Sequence, residues 1–203
     1  MSRFTYQSEI NGTALETYEW DNVWIEQTAN LDGKRVLYIG DSISCGTRNI
    51  ATSLSEGRYL FDGFGTSKAL DNPFLFDSIR LFASQLTKTE TVIFNNGLHG
   101  WHLNDETEYP EFYEKAIKFL LSEFEGKKIF LVLTTSVADS DREKRVKARN
   151  KSVCELAEKY ALPVIDLYST SVEYVNFRID DGVHYISDGY RKFAAEILGK
   201  IGE

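Results

Sequence analysis

The sequence predicts a three-layer α/β/α sandwich built on a sheet of about five parallel strands. Two observations carry this. Short apolar, β-prone runs alternate with amphipathic segments along the whole chain, which implies right-handed βαβ crossovers. Three of those runs, VLYI, TVIF and IFLVL, are almost continuously hydrophobic. Parallel strands look this way when helices cover both faces of the sheet. No repeat, low-complexity tract or Pro/Ser-rich linker breaks the pattern, so residues 1–203 read as one domain.

Taken in order, residues 1–33, with Trp20 and Trp24, precede the first apolar run and are expected to wrap the outside of the domain. Strands are expected at Arg35–Ile39, Arg58–Phe64, Thr91–Asn95, Lys128–Thr134 and Pro163–Leu167. The segment from Ile43 to Glu56 is the weakest helix, because it is polar and contains Gly46. In PFLFDSIRLFASQL, apolar side chains recur at Leu75, Phe76, Ile79, Phe82, Ala83 and Leu86, with Asn72 as N-cap and Pro73 in the first turn. After Pro110, the stripe is Phe112, Ala116, Phe119 and Leu120. A helix from about Arg142 to Tyr160 presents Val146, Val153, Leu156, Ala157 and Tyr160. The last helix begins near Ser187, read as its N-cap, and aligns Tyr190, Phe193, Ala194, Ile197, Leu198 and Ile201.

A net charge of −8 argues against nucleic acid and anionic membranes as partners. The two cysteines, Cys45 and Cys154, stand in no motif, so a disulfide framework is not expected and a reducing compartment fits. The N-terminus has neither a basic nor an apolar leader region, and no stretch is long and apolar enough to span a membrane. The expectation is a cytoplasmic protein, or a secreted or periplasmic one if a leader has been removed. The oligomeric state is open.

The first strand runs straight into Gly40-Asp41-Ser42. These are turn-forming residues, but ligands of such sheets bind beyond the carboxyl ends of the strands. Ser42 sits at that edge. A serine hydroxyl needs a base within hydrogen-bond reach, and the base needs an orienting group. The chain has three histidines, and His184 follows Asp181 by three residues in RIDDGVHYISDGY. One loop before the last helix can therefore supply both carboxylate and imidazole.

GDSIS after the first strand, a glycine-led loop after the third, and DGVH with SDGYRKFAAEI near the end resemble the SGNH hydrolases, also called the GDSL family. The resemblance spans roughly Arg35 to Ile201. It implies a flavodoxin-like sandwich and an esterase, lipase, thioesterase or carbohydrate deacetylase with no cofactor. It also implies Ser42 as nucleophile, His184 as base and Asp181 as its partner. The Gly-x-Ser-x-Gly elbow of other serine hydrolases is absent, since Ser44 stands where the second glycine belongs.

The resemblance further implies an oxyanion hole of three donors: the serine N–H, a glycine N–H of a second block, and an asparagine side chain of a third. Ser42 supplies the first. In FDGFGTSKAL, Gly63, Gly65, Ser67 and Lys68 compete for the second, Gly65 ahead of Ser67 or Lys68. The third block departs from the family's Gly-x-Asn-Asp: NNGLHGWH places His99 in the asparagine position and Gly100 in the aspartate position. An imidazole N–H can donate to an oxyanion. Asn96 or Asn95 are the alternatives. Asp41, Ser67 and Trp101 are candidate substrate contacts, Trp101 against a sugar ring or an acyl group; core packing is the plainer role for Trp101. Asp139 and Asp141 either rim the site or cap a helix.

The leading expectation is a serine esterase acting on a small acyl ester, with O-acetyl groups on carbohydrate preferred. The absence of an apolar lid argues against long-chain lipids. Three rivals stand beside it: a non-hydrolytic carbohydrate-binding protein, a phosphate or flavin binder at the same strand end, and a zinc hydrolase using His99, His102, His184 or Asp105. The first block and the last loop favour the esterase, with no metal. An acyltransferase would use the same residues.

Overall fold

In a computed structural model that describes residues 9–10, 13–16 and 18–202, strand β4 (Lys34–Gly40) lies in the middle of a six-stranded sheet. Its side chains alternate between two apolar cores. Leu37 and Ile39 enter one; Val36 and Tyr38 enter the other. Burial on both faces is why the strand reads as an unbroken hydrophobic run.

Strand β4 is followed by α1 (Ser42–Leu54) and β5 (Tyr59–Thr66), then α2 (Leu75–Ala83), β6 (Thr89–Phe94), α3 (Glu108–Glu123) and β7 (Lys128–Val132). The chain then forms α4 (Ser140–Tyr160), β8 (Val164–Ile165), α5 (Leu167–Glu173), a 3₁₀ turn at Val175–Phe177 and α6 (Ser187–Ile201). Strands β5 and β6 pair in parallel on either side of β4, and β7 and β8 continue the sheet in parallel. Helices α1 and α6 cover one face; α2, α3 and most of α4 cover the other. The connection from β4 runs to β5 on one side, and the next crosses back from β5 to β6 on the other, so the carboxyl ends of β4 and β6 flank the topological switch point where such sheets bind ligands. No helix among the described residues is long and apolar enough to cross a membrane.

All five expected strands are present. A sixth was not expected: β3 (Asp21–Trp24) pairs antiparallel with β5 at the sheet edge. Its four residues are exposed, so no hydrophobic alternation marks it; backbone pairing to an open edge holds it instead. A two-stranded ribbon, β1 (Glu9–Ile10) and β2 (Thr13–Ala14), precedes it. Residues 1–8, 11–12 and 17 of the expected wrapping segment lie outside the described residues.

Several helix ends differ from expectation. Asn72 does not cap α2: its side chain accepts the Phe74 N–H at 2.9 Å, shaping the turn one step earlier. Helix α3 starts before Pro110, which sits in its first turns where no N–H is required. Helix α4 starts at Ser140, capped by Asp139, whose carboxylate accepts the Arg142 N–H at 2.8 Å. Ser187 is the first residue inside α6, not its cap, and Ile186 caps without a side-chain bond. Helix α5 and the 3₁₀ turn are too short to show a helical stripe.

Helix α1 forms in spite of its polarity because its polar groups find partners. Thr47 donates to the Ile43 carbonyl at 2.6 Å, and Arg48 donates to the Asn22 side chain at 2.5 Å. Gly46 lets α1 approach α6: a Cβ there would lie 2.5 Å from the Tyr190 ring, which packs edge-on against Tyr185 and Phe193. Replacing Gly46 with Val is expected to cost about 1–3 kcal/mol through overpacking. Urea unfolding checks this, as a lower midpoint at unchanged slope.

Candidate active site

Strand β4 turns sharply into α1 at Gly40, where a Cβ would meet Ser44 at 2.8 Å. Asp41 follows as N-cap in extended conformation (φ −106°), with its side chain accepting the Ile43 N–H at 2.9 Å. Its carbonyl accepts the Ser44 hydroxyl at 2.6 Å. Asp41 is buried, and Oδ2 has no partner among the described residues. Burial pushes this carboxyl up, against the opposing pull of the His99 ring, the Ile43 N–H and His184. Asp41 therefore caps the helix from inside the protein. Ser42 is the first residue of α1, so its N–H belongs to the turn that has no intrahelical acceptors.

The loop before α6 folds tightly around Asp181. Gly182 takes φ +76°, and a Cβ there would lie 2.8 Å from the Ala138 Cβ. Asp181 Oδ1 accepts the Val183 N–H at 2.8 Å and the His184 N–H at 2.9 Å. Its Oδ2 lies 2.7 Å from His184 Nδ1. His184 Nε2 in turn lies 2.7 Å from Ser42 Oγ, across 142 residues of sequence. The His184 N–H, followed by the Val183 N–H and the His184 ring, holds the Asp181 carboxyl down at about 2. An ionised carboxylate only accepts, so Nδ1 carries the proton and neutral His184 offers the Nε2 lone pair to the serine O–H.

The loop after β5 is partly closed off. The Ser67 N–H donates to the Trp20 carbonyl at 3.1 Å, and its hydroxyl accepts the Trp20 N–H at 2.8 Å and donates to Glu19 at 2.9 Å. Ser67 is buried, with its N–H and hydroxyl both engaged by the Glu19–Trp20 segment. The Lys68 N–H donates to Thr66 Oγ1 at 3.1 Å. Gly63 backs onto the Arg48 side chain. Gly65 runs beside the serine turn: it pairs with Gly40, and a Cβ there would lie 3.6 Å from the Asp41 carbonyl oxygen. That Cβ would also collide with Cys45 Sγ, so a larger residue would have to displace the Cys45 side chain.

In the third block, the Asn95 amide donates to the Val132 carbonyl at 2.9 Å and the Asn96 amide to the Lys68 carbonyl at 2.8 Å. The His99 ring lies 3.6 Å from Glu16 Oε1 through Nδ1, with the Trp20 ring edge-on at 6.2 Å between centroids. The three histidines do not converge: His99 faces Glu16, His102 lies 2.9 Å from Asp71, and His184 binds Asp181. No group of three or more potential metal-ligating His, Cys, Asp or Glu side chains occurs among the described residues. Asp141 pairs with Lys144 at the surface.

Two arginines of α4, unmarked in the sequence, hold this loop. Arg149 is wholly buried and donates to the carbonyls of Gly97 (3.0 Å), His99 (2.6 Å) and Gly100 (2.8 Å), and to Asp105 at 2.7 Å. Arg145 donates to the carbonyls of Trp101 and Leu103, both at 2.6 Å, and to Asp105. Burial pushes the Asp105 carboxyl up, but these two guanidiniums outweigh it and hold the group below its ordinary range. The Trp101 ring lies against Arg149, Arg145 and Arg142, at 4.6, 5.4 and 5.5 Å from its centroid. A guanidinium in a basic helix such as DREKRVKARNK carries no local sign that it is buried.

No family model and no curated protein matches the chain. Solved structures do. An acetyl xylan esterase superposes with a TM-score of 0.62 at 15% identity, over 82% of this chain and 99% of that one. A lipolytic protein of the G-D-S-L family from Veillonella parvula gives 0.66 at 20% identity, over 84% and 100%. The C-terminal catalytic domain of the peptidoglycan O-acetyltransferase A of Streptococcus pneumoniae gives 0.65 at 20%, over 84% and 93%. The fold is therefore the α/β/α sandwich of the GDSL/SGNH hydrolases.

Arg149→Met removes the donors to three loop carbonyls and one partner of Asp105. The expected cost is about 3–5 kcal/mol, read as a lower urea midpoint. A change under about 0.5 kcal/mol, the range of a featureless surface site, contradicts the clamp.

Proposed function

We propose that the protein is an SGNH-type serine esterase acting on small acyl esters, with acetyl esters of carbohydrate as the preferred class. The observation that carries this is the unbroken chain Ser42 Oγ–His184–Asp181, with both contacts at 2.7 Å. Ser42 Oγ attacks the ester carbonyl as His184 Nε2 takes its proton. Asp181, already ionised, stabilises the imidazolium without accepting a proton. The tetrahedral oxyanion forms beside the Ser42 N–H at the positive end of α1, with Gly65 and His99 as the further donors. Collapse breaks the bond to the leaving alcohol, which takes the proton from His184. Water then repeats the sequence on the acyl-enzyme; an alcohol in its place would make the reaction an acyl transfer.

One observation supports a small acyl group: the structural neighbours include an acetyl xylan esterase and an acetyl esterase with acetate ion.

Hydrolysis of p-nitrophenyl acetate tests the reading. Ser42→Ala and His184→Ala are each expected to lower kcat by about 10³-fold or more, and Asp181→Asn by about 10²–10⁴-fold. Asp181, held at about 2, stays ionised well below neutral pH, so loss of rate in mild acid does not come from its protonation. Equal rates in wild type and the Ser42 and His184 variants would overturn the triad.

A further inference from the structure

His184 is carried on a short hairpin, residues 177–186, which is not part of the main sheet. One antiparallel bridge, Arg178 to Tyr185, defines it. Backbone bonds flank the bridge: the Ile179 N–H donates to the His184 carbonyl and the Ile186 N–H to the Phe177 carbonyl, both at 2.9 Å. Side chains alternate between the two faces of such a pair, and residues opposite each other share a face. Arg178 and Tyr185 therefore form the back of the hairpin, and His184 lies on its front. Asp181, Val183 and His184 are joined inside the turn, so the carboxylate and the imidazole travel as one unit. The gap to Ser42 is different. It depends on how the hairpin docks, and a few backbone bonds do not hold an isolated hairpin in place.

The hairpin docks on a post behind it. Ser136 follows β7 and is buried; its N–H donates to Ser171 Oγ of α5 at 2.8 Å, and that hydroxyl donates to the Tyr168 carbonyl at 2.6 Å. Both members of the bridge reach this serine. The Arg178 guanidinium donates from Nη2 to Ser136 Oγ at 2.8 Å and lies over the Tyr185 ring, 5.9 Å from its centroid. Tyr185 donates its hydroxyl to the Ser136 carbonyl at 3.3 Å and packs its ring edge-on against Phe193 of α6. Two residues beyond Ser136, the Ala138 N–H donates to the Gly182 carbonyl at 2.8 Å. Arg178 makes its contact at a cost, because its Nε is buried with no partner among the described residues. An unpaired buried donor detracts from stability, so a guanidinium here is not the choice that stability alone favours.

Building on the esterase reading, we propose that Arg178 is a positioning residue: by tying the back of the His184 hairpin to Ser136, it sets the imidazole where Nε2 meets the Ser42 hydroxyl. Its loss leaves the Asp181–His184 contact in place, because the turn makes that contact locally, and loosens the 2.7 Å contact between His184 Nε2 and Ser42 Oγ. General-base assistance then falls while the substrate keeps its own contacts, so kcat drops and KM holds.

Arg178→Met keeps an unbranched side chain over Tyr185 and removes the donor. In p-nitrophenyl acetate hydrolysis it is expected to lower kcat about tenfold or more, with KM changed by less than about twofold. In a His184→Ala background there is no imidazole to place, so adding Arg178→Met should change the residual rate by less than about twofold. An unchanged kcat in the single variant, or the same fold loss with and without His184, would overturn the proposal; the second result is what a general loosening of the fold produces. Ser136→Ala removes the acceptor alone and carries the test if Arg178→Met does not fold. It should lower kcat in the same way, and an unchanged kcat contradicts the tie. The esterase reading fails separately, on a Ser42→Ala variant as active as wild type. An inert Ser42→Ala beside a fully active Arg178→Met overturns only the positioning role.

Discussion

The turn from β4 into α1 is the constraint on which the remaining structure depends. Strand β4 is buried on both faces, so its carboxyl end cannot shift, and Gly40 allows the chain to reverse into a helix within two residues. Asp41 caps that helix from inside, and Ser42 emerges as its first residue. The hydroxyl and N–H of one residue are thereby presented at the positive end of a helix dipole. Every other element of the site is placed relative to this fixed point. Gly65 runs beside it on β5, and the Asp181–His184 loop arrives from the far end of the chain.

The other loops need external support because they lack regular structure. The fold supplies it with buried charge. Arg149 donates to three carbonyls of the third-block loop, and Glu16 accepts an N–H from the opposite side. A wholly buried guanidinium is costly unless its donors are engaged, and here Asp105 and the carbonyls engage four of the five. These bonds brace the loop from both sides, and the oxyanion role proposed for it calls for that: donors set in position before charge develops cost no reorganisation when it does.

Which parts of this were legible in the sequence follows from how each is held. Val36–Ile39, Thr91–Phe94 and Ile129–Leu133 were legible because burial on two faces writes a continuous apolar run. Asp181 and His184 were legible because three residues and a Gly182 turn suffice to join them, and Ser42 because the turn that presents it is local. Strand β3 was not, since backbone pairing and polar side-chain contacts to Arg48, Thr66 and Lys68 hold it, and neither leaves a hydrophobic alternation. Asn72 and Ser187 have good capping side chains, yet neighbouring residues take the cap positions. The second- and third-block donors were ambiguous for a related reason. A backbone N–H has no residue type, and what leaves a donor free or engaged comes from afar: the Trp20 carbonyl accepts the Ser67 N–H, and the Lys68 carbonyl accepts the Asn96 side-chain amide.

The central claim is that His184 activates Ser42 as a nucleophile. Covalent labelling with a fluorophosphonate, followed by peptide mass spectrometry, tests it without assuming any ester substrate. The account predicts one adduct, on Ser42, formed at a rate at least about 10²-fold lower in His184→Ala, the lower end of what general-base assistance supplies. An adduct on another residue, or labelling of Ser42 at the same rate without His184, would contradict it.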